Sequence, residues 1–251
     1  MSLSPTIEGG ATAPAALRVL FVDEHLVAVS KPSGLLVHRD EHHPTAPAAL
    51  QLVRDQLGRF LYPVHRLDRP TSGILLFAFA SATAARLQAS MTAATAHKDY
   101  VALVRWPGSQ PRLGDRWRCE QPLADDKAVP RAASSAFELQ QPFRHCALLR
   151  CRIFTGRYHQ IRRHLERCGR PVLGDPTYGS RRVQALFSAR YGLQRLFLHL
   201  QRLLLLHPVS GEELALSDPL PADLTSVLAA LPAAERSAVT ARAGSPPPAS
   251  A

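Results

Sequence analysis

The sequence predicts an α+β domain with a mixed, mostly antiparallel β-sheet flanked by helices. Three observations carry this. Short apolar, β-branched runs outnumber helix-like stretches. The two kinds are not regularly interleaved, which disfavours a doubly wound parallel fold. Hydrophobic residues make up 46% and charged residues 20% of the 251, a composition able to bury a core.

Residues 18–22 and 26–30 are apolar runs on either side of the turn Asp23-Glu24-His25, the pattern of a hairpin. Lys31-Pro32-Ser33-Gly34 reads as a turn. In residues 47–57, Leu50, Val53 and Leu57 mark one helical face, which ends at Gly58. Residues 74–80 are continuously apolar and read as a buried strand. Residues 82–96 are Ala-rich and predict a helix with Leu87 and Met91 on one face. Residues 100–104 and 147–154 predict strands. Residues 156–168 predict a helix that carries Ile161 and Leu165 one turn apart. Two late strands, 196–200 and 203–206, and a closing helix, 223–231, complete the domain. Residues 1–16 are small, polar and Pro/Ala-rich, and 232–251 are Pro/Ala-rich. Both are expected to be disordered, leaving a single domain over 17–231 with no internal repeat and no further domain before it.

Thirty Lys+Arg against twenty Asp+Glu leave a net charge of +10 and a pI near 10.2, a balance that favours a polyanionic partner. Between Arg144 and Arg182 ten arginines stand against two acids, Glu166 and Asp175. Guanidinium forks bind phosphate in a bidentate way, so this stretch suits a nucleic-acid backbone. The plainer reading is compositional, since arginine replaces lysine almost throughout; only Lys31, Lys98 and Lys127 occur.

The cysteines, Cys119, Cys146, Cys151 and Cys168, form no C-x-x-C pair and read as reduced thiols of a cytoplasmic protein. The first fourteen residues lack a secretory signal pattern, and no apolar run is long enough to span a membrane. Neither G-x-G-x-x-G nor G-x-x-x-x-G-K-[ST] occurs, nor H-E-x-x-H or G-x-S-x-G. His159 and His164, five apart, fall on different helix faces. No metal and no organic cofactor is expected, so the chemistry is left to side chains.

One segment offers it. Val64-His65-Arg66-Leu67 enters a polar turn, residues 68–73, and an apolar strand leaves it. Asp68 and Thr71 can cap that turn through backbone N–H groups. Alternatively, Asp68 is an ionised carboxylate between Arg66 and Arg69, held on rigid structure for chemistry.

His65-Arg66-Leu67-Asp68-Arg69-Pro70-Thr71-Ser72-Gly73 resembles the signature of the RluA-type pseudouridine synthases, which act on ribosomal and transfer RNA. Residues 26–38 resemble that family's first motif, 98–104 the segment bearing its tyrosine and 155–165 its arginine motif. Residues 174–179, and Leu198-His199 with 207–212, resemble its closing segments. They follow the family's order from about Leu17 to about Leu216. Tyr158 departs from the pattern, where a small or charged residue is more usual, as does Leu200, where alanine is.

The resemblance implies a pseudouridine synthase catalytic domain with a central RNA-binding cleft. Its reaction breaks the N1–C1′ bond of uridine, turns the uracil over and rejoins it through C5, without a cofactor. Asp68 is implied to be the catalytic carboxylate, attacking C1′ or removing the C2′ proton. Arg162 is implied to be the guanidinium that keeps it charged, where otherwise it is one more phosphate-binding arginine. Tyr100 is implied to stack on the target uracil, with its hydroxyl near the C5 proton, where otherwise it is an ordinary strand aromatic. The base must leave its stack, and Arg66 is the candidate to fill the gap. His65 and Arg69 are candidate backbone contacts, Lys31 is a phosphate contact or a turn lysine, and Arg157, His159 and Gln160 join the RNA-binding set.

Pro70 and residues 22–29 and 191–199 look most like the members that modify uridine 65 of transfer RNA. A relative acting on 23S ribosomal RNA or another transfer-RNA position is the runner-up. A non-catalytic RNA-binding protein with the same fold is the rival of another class. A metal-dependent nuclease would need clustered carboxylates, and none lie near Asp68 in the sequence. The chain is expected to act as a monomer, without DNA or membrane partners.

Overall fold

The structure, a computed structural model, describes residues 16–39, 41–107 and 113–233. The expected disordered ends lie almost wholly outside the described residues. In chain order the elements begin with β1 (Arg18–Val22), β2 (Leu26–Lys31), α1 (Ala49–Leu57), β3 (Tyr62–Pro63), β4 (Ser72–Ala78), α2 (Ser81–Thr92) and β5 (His97–Arg105). Next come β6 (Arg116–Cys119), β7 (Leu123–Ala124), β8 (Pro130–Arg131), β9 (Ser135–Pro142) and β10 (Cys146–Ile153). The chain closes with α3 (Gln160–Arg167), α4 (Arg181–Tyr191), β11 (Leu198–Leu206), β12 (Glu213–Ser217) and α5 (Ala222–Ala230).

Strand β4 is buried along its whole length, as a continuous apolar run requires when both sheet faces are covered. On one side it pairs antiparallel with β2, which carries β1 as the expected hairpin. On the other side it meets β11 in parallel, through His199 opposite Ser72 and Leu200 opposite Gly73. From β11 the sheet continues antiparallel through β5, β10, β9 and β6. The result is the expected α+β architecture with a mixed, mostly antiparallel sheet. A second apolar cluster, including Phe187, Phe197, Leu224 and Val227, packs α4 and α5 beneath the sheet.

Several boundaries differ from expectation, each for a local reason. Helix α2 stops at Thr92, not Ala96: Lys98 Nζ takes the Met91 carbonyl (2.9 Å) and the Thr92 hydroxyl turns back to the Ala89 carbonyl (2.9 Å). These bonds use carbonyls left free at a helix end. The two late strands are one strand, β11, with an irregularity between Leu200 and Arg202 where two were expected. Strand β9 was not anticipated, although Ser135, Phe137 and Leu139 alternate inward as a half-buried strand should. Strands β6 and β12 and helix α4 were also missed. Helix α4 is weakly amphipathic, with Phe187 its buried residue.

The register brings distant segments into one lateral row. Lys31 lies opposite Gly73, Gly73 opposite Leu200, Leu200 opposite Tyr100, and Tyr100 opposite Cys151. At the centre, Gly73 has φ +122°, and a Cβ there would sit 2.3 Å from the Leu200 carbonyl oxygen. No side chain fits at that separation, so β4 and β11 can approach only through glycine. Gly73→Ala is therefore expected to destabilise the fold by at least about 2 kcal/mol, read as a lowered urea midpoint; an unchanged midpoint would show that the β4–β11 contact does not need the glycine.

Candidate active site

The segment between β3 and β4 is fixed by its backbone. Leu76 N–H donates to His65 Nε2 (3.1 Å), and Thr71 N–H closes the turn on the Asp68 carbonyl (3.0 Å). The main chain, not the Asp68 carboxylate, therefore makes the turn. Among the described residues no backbone N–H donates to that carboxylate. Its partners are Arg162 Nη1 at 3.3 Å and His159 Nε2 at 3.8 Å, the second beyond hydrogen-bond reach.

Residues 31–34 grip the same turn. Lys31 is fully buried, and its Nζ donates to the carbonyls of Pro32 (2.9 Å), Leu35 (2.8 Å) and Arg69 (3.1 Å). Gly34 N–H donates to the Arg69 carbonyl (2.8 Å), and Ser33 Oγ to that of Pro70 (2.7 Å). Burial pushes the Lys31 ammonium down to about 7, while the Asp68 charge opposes this. Three carbonyl acceptors match the three protons of an ammonium. On the other flank, Ser72 Oγ bonds His199 Nδ1 (2.9 Å) and Arg195 Nη1 (3.1 Å), and His199 Nε2 meets the Asp218 carbonyl (2.9 Å).

Arg162, 2% exposed, is the side chain that faces Asp68. Its Nε and Nη2 form a fork on Asp175 (2.7 and 2.8 Å), and Nη2 also reaches Thr177 Oγ1 (3.1 Å). Nη1 is left for Asp68. Asp175 is fully buried and also accepts the N–H groups of Thr177 (2.9 Å) and Tyr178 (3.1 Å). Burial works to raise its carboxyl, but the Arg162 fork and these amides hold it below the usual carboxylate range. The two carboxylates in turn outweigh the burial of Arg162 and keep the guanidinium charged. Asp175, Thr177 and Tyr178 sit in the segment 174–179 that resembles a family motif, but their linear order alone assigns them no role.

Helix α3 begins at Gln160, four residues later than expected. The cause is His159, in the left-handed region at φ 53°, an uncommon conformation for a residue with a Cβ. Gln160 holds this start. Its Oε1 accepts from Thr155 Oγ1 (2.6 Å) and Arg157 N–H (3.0 Å), and its Nε2 donates to the Ser134 carbonyl and Ser135 Oγ (both 2.9 Å). The His159 ring bonds Tyr178 Oη (3.1 Å) through Nδ1 and stacks on Tyr158. Burial lowers its pKa and favours the neutral ring.

These groups line one cleft of about 230 Å³, with Asp68, Tyr100, His159 and Arg162 among its walls and Arg66, Arg157 and Tyr158 also lining it. That is below the roughly 300 Å³ at which pockets for drug-sized ligands begin and suits a single flat ring. Tyr100 is 8% exposed, and burial, with the Asp68 charge, raises its hydroxyl and keeps it neutral. Thr71 Oγ1 is buried in the same lining with no partner.

Residues 25–167 match the family model described as RNA pseudouridylate synthase. The chain belongs to that family. It is 36% identical to tRNA pseudouridine synthase C of Pasteurella multocida, over 80% of this chain and 90% of the relative. It is 38% identical to the protein of the same name from Yersinia pestis, over 80% and 85%. Among solved structures it resembles human RNA pseudouridylate synthase domain containing 4, with a TM-score of 0.69 at 22% identity over 87% of this chain and 95% of that one. The human domain-containing 1 protein gives 0.68 at 20%, over 89% and 91%. These last two likenesses are of fold.

In this RluA-type pseudouridine synthase, several residues expected to contact RNA have partners inside the protein. Lys31 has every proton engaged by a carbonyl and none for phosphate. His65 is half-buried, its ring accepts a backbone N–H, and burial pushes its pKa down to about 4. Gln160 spends its amide inside the protein. The arginine-rich stretch is not one open patch: Arg150 pairs with Glu138, Arg152 with Asp99, and Arg170 lies over Trp106. Arg66, Arg69 and Arg157 remain exposed, with Arg69 Nε on the Gly34 carbonyl and Arg157 Nε on the Ala132 carbonyl. Among the described residues, no three His, Cys, Asp or Glu are grouped to hold a metal ion, and no helix is long and apolar enough to cross a membrane.

Removing Asp175 leaves a buried guanidinium half-partnered. Asp175→Asn is expected to lower stability by about 3–5 kcal/mol and to lower turnover, because Arg162 loses the support that aims Nη1. The folded-state pKa of Asp175 is depressed, so its contribution is present above the unfolded value near 3.8 and is lost as pH falls through the lowered one. Urea titrations should show the gap between wild type and variant closing only below about pH 4; a gap that does not change with pH would contradict the assignment.

Proposed function

We propose that this enzyme converts uridine 65 of transfer RNA to pseudouridine, with Asp68 as its catalytic carboxylate. The observation that carries the reading is the Asp68 carboxylate itself. It lines a single-ring cleft, is not spent on the turn, and faces a guanidinium whose opposite edge is locked. A group so placed can act on the ribose of a uridine flipped into the cleft. It either bonds to C1′ as the N1–C1′ bond breaks, or takes the C2′ proton. The detached uracil turns over beside the Tyr100 ring and rejoins through C5, which then gives up its proton. The neutral Tyr100 phenol supplies a flat face and a hydroxyl there. Thr71 Oγ1 is available to a polar group of the bound nucleotide.

Support for transfer RNA comes from relatives named tRNA pseudouridine synthase C at 36% and 38% identity and from the resemblance of Pro70 and residues 22–29 and 191–199. The catalytic domain on this reading spans residues 17–231. Asp68→Ala should reduce tritium release from 5-tritiated uridine in transfer RNA by at least about a hundredfold, with RNA binding little changed. Retained release would overturn the role of Asp68. A transcript carrying cytidine at position 65 should yield no pseudouridine. Product at another position, or in ribosomal RNA, would overturn the choice of substrate.

A further inference from the structure

Among the side chains lining the cleft, Tyr158 is a large aromatic left mostly in solvent, 61% exposed. Its ring is nonetheless ordered by contact. It lies 3.7 Å from the His159 ring, centroid to centroid, at an interplanar angle of 21°. His159 is anchored in turn by Tyr178 Oη and by its position at the start of α3, and its other nitrogen sits 3.8 Å from Asp68. Tyr158 and His159 thus form a short pile of flat rings rooted beside the carboxylate. One ring of that pile is covered; the outer one is open to solvent. This is also a position where the chain departs from its family's usual small or charged residue.

We propose that the outer face of Tyr158 is a nucleobase-stacking subsite, which receives a base next to the uridine that enters the cleft. The inference rests on the reading that the target uridine is taken beside Asp68. Three features favour a base as the occupant. Flipping a nucleotide strips its neighbours of a stacking partner. Unstacked RNA bases are commonly received on aromatic side chains, because every base presents a π-face. Arg66 and Arg157 line the same cleft and remain exposed to meet the backbone that carries such a base. A phenol has no cationic group to hold a phosphate, and the feature Tyr158 offers a ligand is its flat face.

The test uses purified full-length wild type, Tyr158→Phe and Tyr158→Ala. Wild type is assayed first. If it is inactive on transfer RNA, the position-65 reading falls, and the stacking measurement runs on the RNA that pseudouridine mapping of cellular RNA identifies. Tyr158→Ala should raise KM about tenfold while kcat holds, and Tyr158→Phe should keep the wild-type KM. Substrates with an abasic nucleotide on the 5′ or the 3′ side of the target form the second arm. One of them should raise KM for wild type but add nothing to the Ala variant. An unchanged KM in Tyr158→Ala overturns the subsite, as do equal penalties from both abasic substrates in wild type and variant. A fall in kcat at constant KM overturns it too, by making Tyr158 a support for His159 instead.

Discussion

The fork between Arg162 and Asp175 is the interaction on which the rest of the site depends. Both side chains are buried, and neither charge is tolerable there without the other. The fork uses the Nε–Nη2 edge of the guanidinium and leaves Nη1, which reaches Asp68. The Asp68–Arg162 pair is therefore the free end of a larger unit. That unit ties α3 to the loop after it, and the loop adds the Thr177 and Tyr178 amides to Asp175 and the Tyr178 hydroxyl to His159. Two-point pairing sets direction as well as energy, so the fork fixes where Nη1 points.

The Asp68 turn is gripped from three sides by groups that do not touch the cleft's centre. Residues 31–34 hold the carbonyls of Arg69 and Pro70, His65 takes the Leu76 amide, and Ser72 joins the buried His199–Asp218 network. With its backbone held in this way, Asp68 need not spend its carboxylate on the turn. Gly73 permits the close approach of β4 and β11 that brings these grips together. The lysine and histidine of these motifs thus hold the Asp68 turn from behind.

The net charge agrees with membership of an RNA-modifying family, but it does not say which arginines are open to solvent. Arg150 and Arg152 are matched by acids and Arg162 is enclosed. A run of arginines in the sequence carries no information about which of them face carboxylates contributed by other strands. The exposed cations near the cleft are fewer, and they come from two segments, Arg66 and Arg69 on one and Arg157 on the other.

By itself the sequence determined the local elements with strong patterns: the β1–β2 hairpin, the buried β4, the stop of α1 at a left-handed Gly58, and the α+β class. Asp68, Tyr100 and Arg162, which line one cleft, could be named as candidates because they sit in ordered motifs, and motifs survive in a linear reading. Tertiary structure decided what no spacing encodes. It placed Tyr100, Leu200, Gly73 and Lys31 in one row through strand register, and it gave Arg162 a partner thirteen residues away across a loop. It also sorted the arginines into enclosed and open, and turned His159 toward Asp68 through a backbone conformation invisible in its letter. The physical reason is common to all of these. Periodicity reports which face of an element is apolar, whereas pairing, burial and charge compensation depend on which elements meet.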